Sequence, residues 1–139
     1  MRSYVLGIVV LAATAACGGN AANAVTPRPE DPVAWGGQLY GAKCARCHGD
    51  HGEGHGDAPA VVGAGALPLD PPAKAKFRKG KFETAKDVHD FVRAAMPPGH
   101  GGSLTDDEYW ALIAFDLDAN KVKVTGKLDD VAAAQIKLH

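Results

Sequence analysis

The sequence predicts an all-α fold of short helices, and three observations carry that prediction. Apolar residues recur at three- and four-residue steps in three stretches, each opened by a capping residue: Asp31, Thr84 and Thr105. Period-two alternation is confined to the short KVKV run at 121–124. The chain has 139 residues, enough for one ordinary domain.

The first element is an export signal at 1–16, lipoprotein-type or ordinary. Arg2 precedes an uncharged run from Ser3 to Ala16, too short to cross a bilayer comfortably but suited to the apolar region of such a signal. TAAC at 14–17 resembles a bacterial lipoprotein cleavage box, in which Cys17 would become the lipidated first residue. The other reading is ordinary cleavage near Ala16. Both imply folding in an oxidising, periplasmic compartment, lipid-anchored to a bacterial membrane if Cys17 is modified. Residues 17–32 are mostly small residues with three prolines and cannot bury much surface, which makes them a flexible tether.

The folded domain is placed at 33–120. Its first helix follows Asp31-Pro32, with Trp35, Leu39, Tyr40 and Lys43 at helical spacing. ETAKDVHDFVRAAM reads as a second helix, capped by Thr84, with Val88, Phe91, Val92 and Ala95 on one face and His89 at the surface. SLTDDEYWALIAFDLDAN is the best-marked helix. Thr105 and Glu108 form a capping box, and Trp110, Ile113, Ala114 and Leu117 make its more apolar side.

The formal net charge is −1, which gives no electrostatic footprint for nucleic acid. Lys74, Lys76, Arg78, Lys79, Lys81 and Lys86 nevertheless cluster in mid-chain. They form either a solvated surface of mixed sign or a docking patch for an acidic partner.

The chemistry lies in CARCH at 44–48. A redox dithiol would need a strand before it and a βαβ setting, whereas a helix precedes it. Structural zinc would need two further ligands, and only His48, His51 and His55 in a glycine-rich loop are near. CxxCH is also the haem attachment spacing. Cys44 and Cys47 would add across the two vinyl groups, and His48 would bind iron. A small chain gains from such a group, because a bound cofactor supplies apolar contacts that few side chains can.

Leu39–Gly49, AMPPG at 95–99 and the helix with Tyr109 and Trp110 together resemble a small class I c-type cytochrome. The resemblance implies one covalently attached haem c, with Met96 as the second axial ligand. It also implies that the backbone carbonyl of Pro59 accepts a hydrogen bond from His48, with Val61, Val62 and Leu67 as pocket walls. The last helix would cross the first near Leu39–Tyr40, with Gly36, Gly37 and Ala114 allowing close approach. His100 is the rival to Met96, while His51 and His55 are expected to face solvent.

Two protein-held axial ligands favour electron transfer over catalysis, because no coordination position is left for substrate. The expected function is therefore a periplasmic mono-haem carrier, a monomeric domain exchanging electrons with redox protein donors and acceptors. The alternatives are a haem peroxidase or gas sensor with a displaceable sixth ligand, or a haem subunit of a larger oxidoreductase. Residues 121–139 form a C-terminal extension packed on or near the domain: an extended piece, a turn at TGK, and a weakly helical or irregular DDVAAAQI.

Overall fold

A computed structural model describes residues 28–139; the export signal, Cys17 and most of the tether lie outside the described residues. Five helices follow in order: α1 (Pro32–Lys43), α2 (Ala45–His48), α3 (Ala85–Ala95), α4 (Asp106–Ala119) and α5 (Asp130–Gln135). Among the described residues the only β pairings are isolated bridges, His55 with Ala58 and Thr84 with Lys137. The fold is all-α.

Side-chain caps set where the longer helices begin. Both Asp31 carboxylate oxygens accept from the first turn of α1, from Val33 N and Ala34 N at 3.2 Å each. Reciprocal capping boxes open α3 and α4, Thr84 with Asp87 and Thr105 with Glu108. Each cap satisfies backbone N–H groups that have no partner inside the helix.

The main scaffold is the crossing of α1 and α4. Gly36 has no room for a side chain, since an added Cβ would meet the Ala111 carbonyl carbon at 2.6 Å and Phe115 Cβ at 2.7 Å. The close approach expected at Ala114 is therefore made at Ala111, one helical step away, and Ala114 points into the core. Further along the crossing, the Tyr40 and Phe115 rings pack with centroids 5.2 Å apart. Leu67, Phe82, Ala85, Val88, Ile113, Leu117, Leu128 and Ala133 fill the space among α3, α4 and the tail.

The C-terminal segment is bonded to this core. Ala85 N donates to Ile136 O and Leu138 N to Glu83 O, both at 3.0 Å. Asp129 caps α5 through Val131 N and Ala132 N, so DDVAAAQI contains a true helix rather than an irregular tail.

Two expectations about charged residues are corrected. His89, expected at the surface, is only 4 % exposed. Its ring stacks on Trp110 at 3.6 Å and 5°, and this aromatic neighbour from α4 outweighs the polar residues flanking it in sequence. Arg78, grouped with the basic cluster, is also buried: Nη2 donates to Leu69 O at 3.2 Å, and the guanidinium lies 3.9 Å over the Phe82 ring. Lys76, Lys81 and Lys86 pair with Asp57, Asp70, and Asp90 plus Asp130 respectively. This matches the surface of mixed sign more closely than a uniform basic patch.

Candidate haem site

Cys44 ends α1 and starts α2, with φ −117° and ψ −38°. The single turn that follows is closed by Cys47 N and His48 N donating to Cys44 O at 3.0 Å each. Residues three and four apart share a helix face, so this turn presents Cys44, Cys47 and His48 to one side. Gly49, at φ +85°, then turns the chain out of the helix, a conformation that favours glycine. Tyr40 pins the turn back onto α1 by donating from its hydroxyl to Gly49 O at 2.7 Å. Burial, followed by the nearby Cys44, pushes that phenol up to about 12, so it remains a donor.

His48 Nδ1 lies 2.9 Å from the carbonyl oxygen of Pro59. A carbonyl can only accept, so Nδ1 carries the proton and Nε2 keeps the lone pair suited to a metal. The intervening loop closes this contact with its own backbone. Gly54 N donates to His48 O at 2.7 Å, and Val61 N and Val62 N donate to Gly52 O at 2.8 and 3.0 Å. Gly54 is needed for the approach, because a Cβ there would meet Ala60 N at 2.7 Å.

Among the described residues neither cysteine is in a disulfide; Cys44 is half-buried and Cys47 exposed. Burial first, then Asp116 and Cys47, pushes the Cys44 thiol up to about 11. A redox-active dithiol requires a shift in the opposite direction. No three-ligand group near these cysteines appears among the described residues; the one such group, His89, Asp90 and Asp130, lies elsewhere. The dithiol and zinc readings of CARCH therefore receive no support.

Met96 is the C-cap residue of α3, where the chain leaves the helix in extended conformation. Its N–H donates to Val92 O at 2.9 Å, and its carbonyl accepts from the Tyr109 hydroxyl at 3.3 Å. The loop beyond it folds back over α3, with Gly102 N donating to Arg93 O at 2.7 Å. Arg93 and Asp106 form an ion pair tying α3 to the start of α4. Met96 is half-buried, whereas His100, His51 and His55 are exposed. Val61 and Val62 are half-buried, and Leu67 belongs to the core.

Asn120 is a contributor that the sequence did not reveal. From the end of α4 its amide donates to Val61 O at 2.8 Å and accepts from Gly63 N at 3.0 Å. Nothing in the local sequence announces this, since the partners lie 57 to 59 residues away.

Taken as a donor set, two thiols on one helical face, an imidazole with its Nδ1 already committed, and a methionine at a helix end fit a covalently held haem. The comparisons agree. The chain is similar to a thiosulfate dehydrogenase of Stutzerimonas stutzeri (strain A1501), 33% identical over 97 residues, covering 64% of this chain and 28% of that protein. It thus spans less than a third of that relative. It is also similar to the crystal structure of the sulfane dehydrogenase SoxCD from Paracoccus pantotrophus. There the TM-score is 0.56 at 29% identity, covering 76% of this chain and 52% of that one. Residues 31–115 match the family model described as cytochrome c oxidase, cbb3-type, subunit III, and the chain belongs to this family, a class I c-type cytochrome domain carrying covalently attached haem c.

Proposed function

We propose that the protein is a mono-haem electron-transfer domain in which Cys44 and Cys47 would form the thioether links and His48 Nε2 and Met96 Sδ would ligate the iron. The observation that carries this reading is the 2.9 Å contact from His48 Nδ1 to Pro59 O, because an axial histidine needs its second nitrogen held by an acceptor. When bound, the haem supplies a one-electron couple, and a thioether ligand biases it toward the ferrous state. The protein's own residues do the rest. The α2 turn directs the imidazole, Pro59 fixes its tautomer, and the bonds of Met96 to Val92 and Tyr109 fix the backbone from which the thioether extends. With His48 and Met96 both on the iron, no position would be left for substrate, and the domain would pass electrons between protein partners and leave substrate chemistry to them. Export of the chain to the periplasm, free or anchored through Cys17, belongs to the same proposal and rests on residues 1–17.

The test is the absorption spectrum of the haem-loaded chain, oxidised and reduced, for wild type and Met96→Ala. The expected result is a low-spin c-type spectrum with the weak far-red ferric band of sulfur ligation, lost in the variant. A high-spin wild-type spectrum would overturn the carrier reading and favour a peroxidase or gas sensor.

A second reading is supported by the names of the two relatives, both dehydrogenases. In it the domain is the haem module of a larger enzyme oxidising a reduced sulfur compound, receiving electrons from a catalytic partner. Recovery of the tagged chain in a stable stoichiometric complex would separate this from a free carrier, which would purify alone.

A further inference from the structure

We propose that Asn120 is a positioning residue for His48, acting through the loop that carries Pro59. The inference rests on the reading of His48 as an axial ligand. Asparagine at a helix end is ordinary as a cap, and the backbone N–H of Asn120 does bond to Asp116 O. Its side chain does something different. Nδ2 donates to Val61 O at 2.8 Å and also reaches Asp116 O and Oδ1 at 2.8 and 3.1 Å, while Oδ1 accepts from Gly63 N at 3.0 Å. One amide thus holds both a carbonyl and an N–H of the same three-residue segment, and so fixes its distance and its rotation relative to α4.

That segment is the closing end of the Pro59 loop. Val61 and Val62 bond back to Gly52 O, and Gly54 bonds to His48 O, so residues 48–62 form a block whose internal bonds hold the Pro59 carbonyl at the imidazole. The block continues directly from α2 at its start. At its far end it is fastened across to α4 by Asn120, just before Gly63 at φ +91° lets the chain turn away. Without the amide, Val61 O loses a donor and Gly63 N an acceptor. The far end is then free to open, and Pro59 O is the group on it that faces the iron ligand.

The weaker Nδ1–H bond that follows makes His48 a poorer electron donor. This destabilises ferric relative to ferrous iron and raises the reduction potential. Loss of packing alone would not do this.

The experiment compares wild-type holoprotein with Asn120→Ala, Asn120→Asp and Leu128→Ala, the last being a core truncation in the C-terminal tail that lowers stability without touching the clamp. Asn120→Asp keeps an acceptor for Gly63 N but loses the donor to Val61 O, and it serves if the alanine variant does not fold. Three readouts are taken: exchange of the His48 ring N–H by NMR in the ferrous state, exchange of the Val61 and Val62 amides, and the reduction potential. The expected result for Asn120→Ala is ring N–H exchange about tenfold faster or more, on the scale typical of lost support to a ligand. Faster amide exchange and a higher potential accompany it; Asn120→Asp is read by ring and amide exchange alone, both faster, because its added charge itself shifts the potential, and the potential is unchanged in Leu128→Ala. Faster amide exchange with the ring N–H and potential unchanged would overturn the inference, leaving Asn120 as a loop anchor only. A wild-type spectrum without histidine-ligated low-spin iron would overturn the site reading first, and this inference with it.

Discussion

Adding one methyl group at Gly36 tests the helix crossing on which the haem site is built. The new Cβ would lie 2.6 Å from the Ala111 carbonyl carbon and 2.7 Å from Phe115 Cβ. Non-bonded carbons rest at about 3.5–4.0 Å, so α1 and α4 must part by roughly 1 Å. Much of the obstruction is backbone, which no rotamer change can relieve. Overpacking of this kind costs about 1–3 kcal/mol, and the rigid contact places it at the upper end. Replacing a mid-helix glycine by alanine returns about 1 kcal/mol of helix propensity. The net expectation for Gly36→Ala is a loss of about 2 kcal/mol. Gly41, on the same helix, is exposed, and among the described residues an added Cβ there meets nothing within 4 Å. Gly41→Ala should therefore stabilise by about 0.5–1 kcal/mol, since only the propensity term remains. Urea unfolding of the two holoproteins, at matched haem occupancy, reads both values from the shift in midpoint at constant slope. If Gly36→Ala lies within about 0.5 kcal/mol of wild type, or the two substitutions change stability in the same direction, then α1 and α4 are not in backbone contact and the crossing has been misjudged.

Two pH effects of opposite sign are also expected. Burial pushes the Asp116 carboxyl from 3.8 up to about 7, so the stability associated with its neutral form is full below 3.8 and is lost as pH rises toward 7. Three units correspond to about 4 kcal/mol as an upper limit, and Asp116→Asn should recover part of this at pH 8 but almost none at pH 4. Equal recovery at both pH values would mean that the carboxyl is ionised throughout. His89 is lowered below 6.5 mainly by burial, so its contribution is present above 6.5 and is lost as pH falls through the lower folded value. His89→Phe should retain the stack on Trp110 while flattening the fall in urea midpoint below pH 6.5, and an unchanged acid limb would refute the assignment.

The parts of the fold that were legible in sequence are those decided by neighbours within one helical turn. Asp31, Thr84 and Thr105 announce helix starts because their side chains bond N–H groups two or three residues away. CARCH is legible for the same reason, since one turn brings both thiols and the imidazole to one face. His89 reads as a surface residue because KDVHD is locally polar, while its burial is decided by Trp110 on another helix. Arg78 likewise looks like one more surface cation until Leu69 and Phe82 fold around it. Asn120 gives no local signal at all, because both loop partners are brought to it by the tertiary fold.

The two sides of the site are held differently. On the Met96 side, position comes from a helix end, a carbonyl that accepts from Tyr109 on α4, and a loop bonded back to Arg93. On the His48 side, the carbonyl of Pro59 is 11 residues from the imidazole and is kept there by a glycine-dependent loop that shows no periodicity. Irregular loops of that length open more easily than helix ends packed on a core. The histidine side therefore has the greater need for an anchor from outside, and the end of α4 is where the fold supplies one. Because α4 also crosses α1 at Gly36, a single helix determines where α1 delivers CARCH and where the Pro59 loop is held. A disturbance at that crossing should thus reach the imidazole from both directions, whereas one at the Met96 loop should leave the His48–Pro59 bond intact.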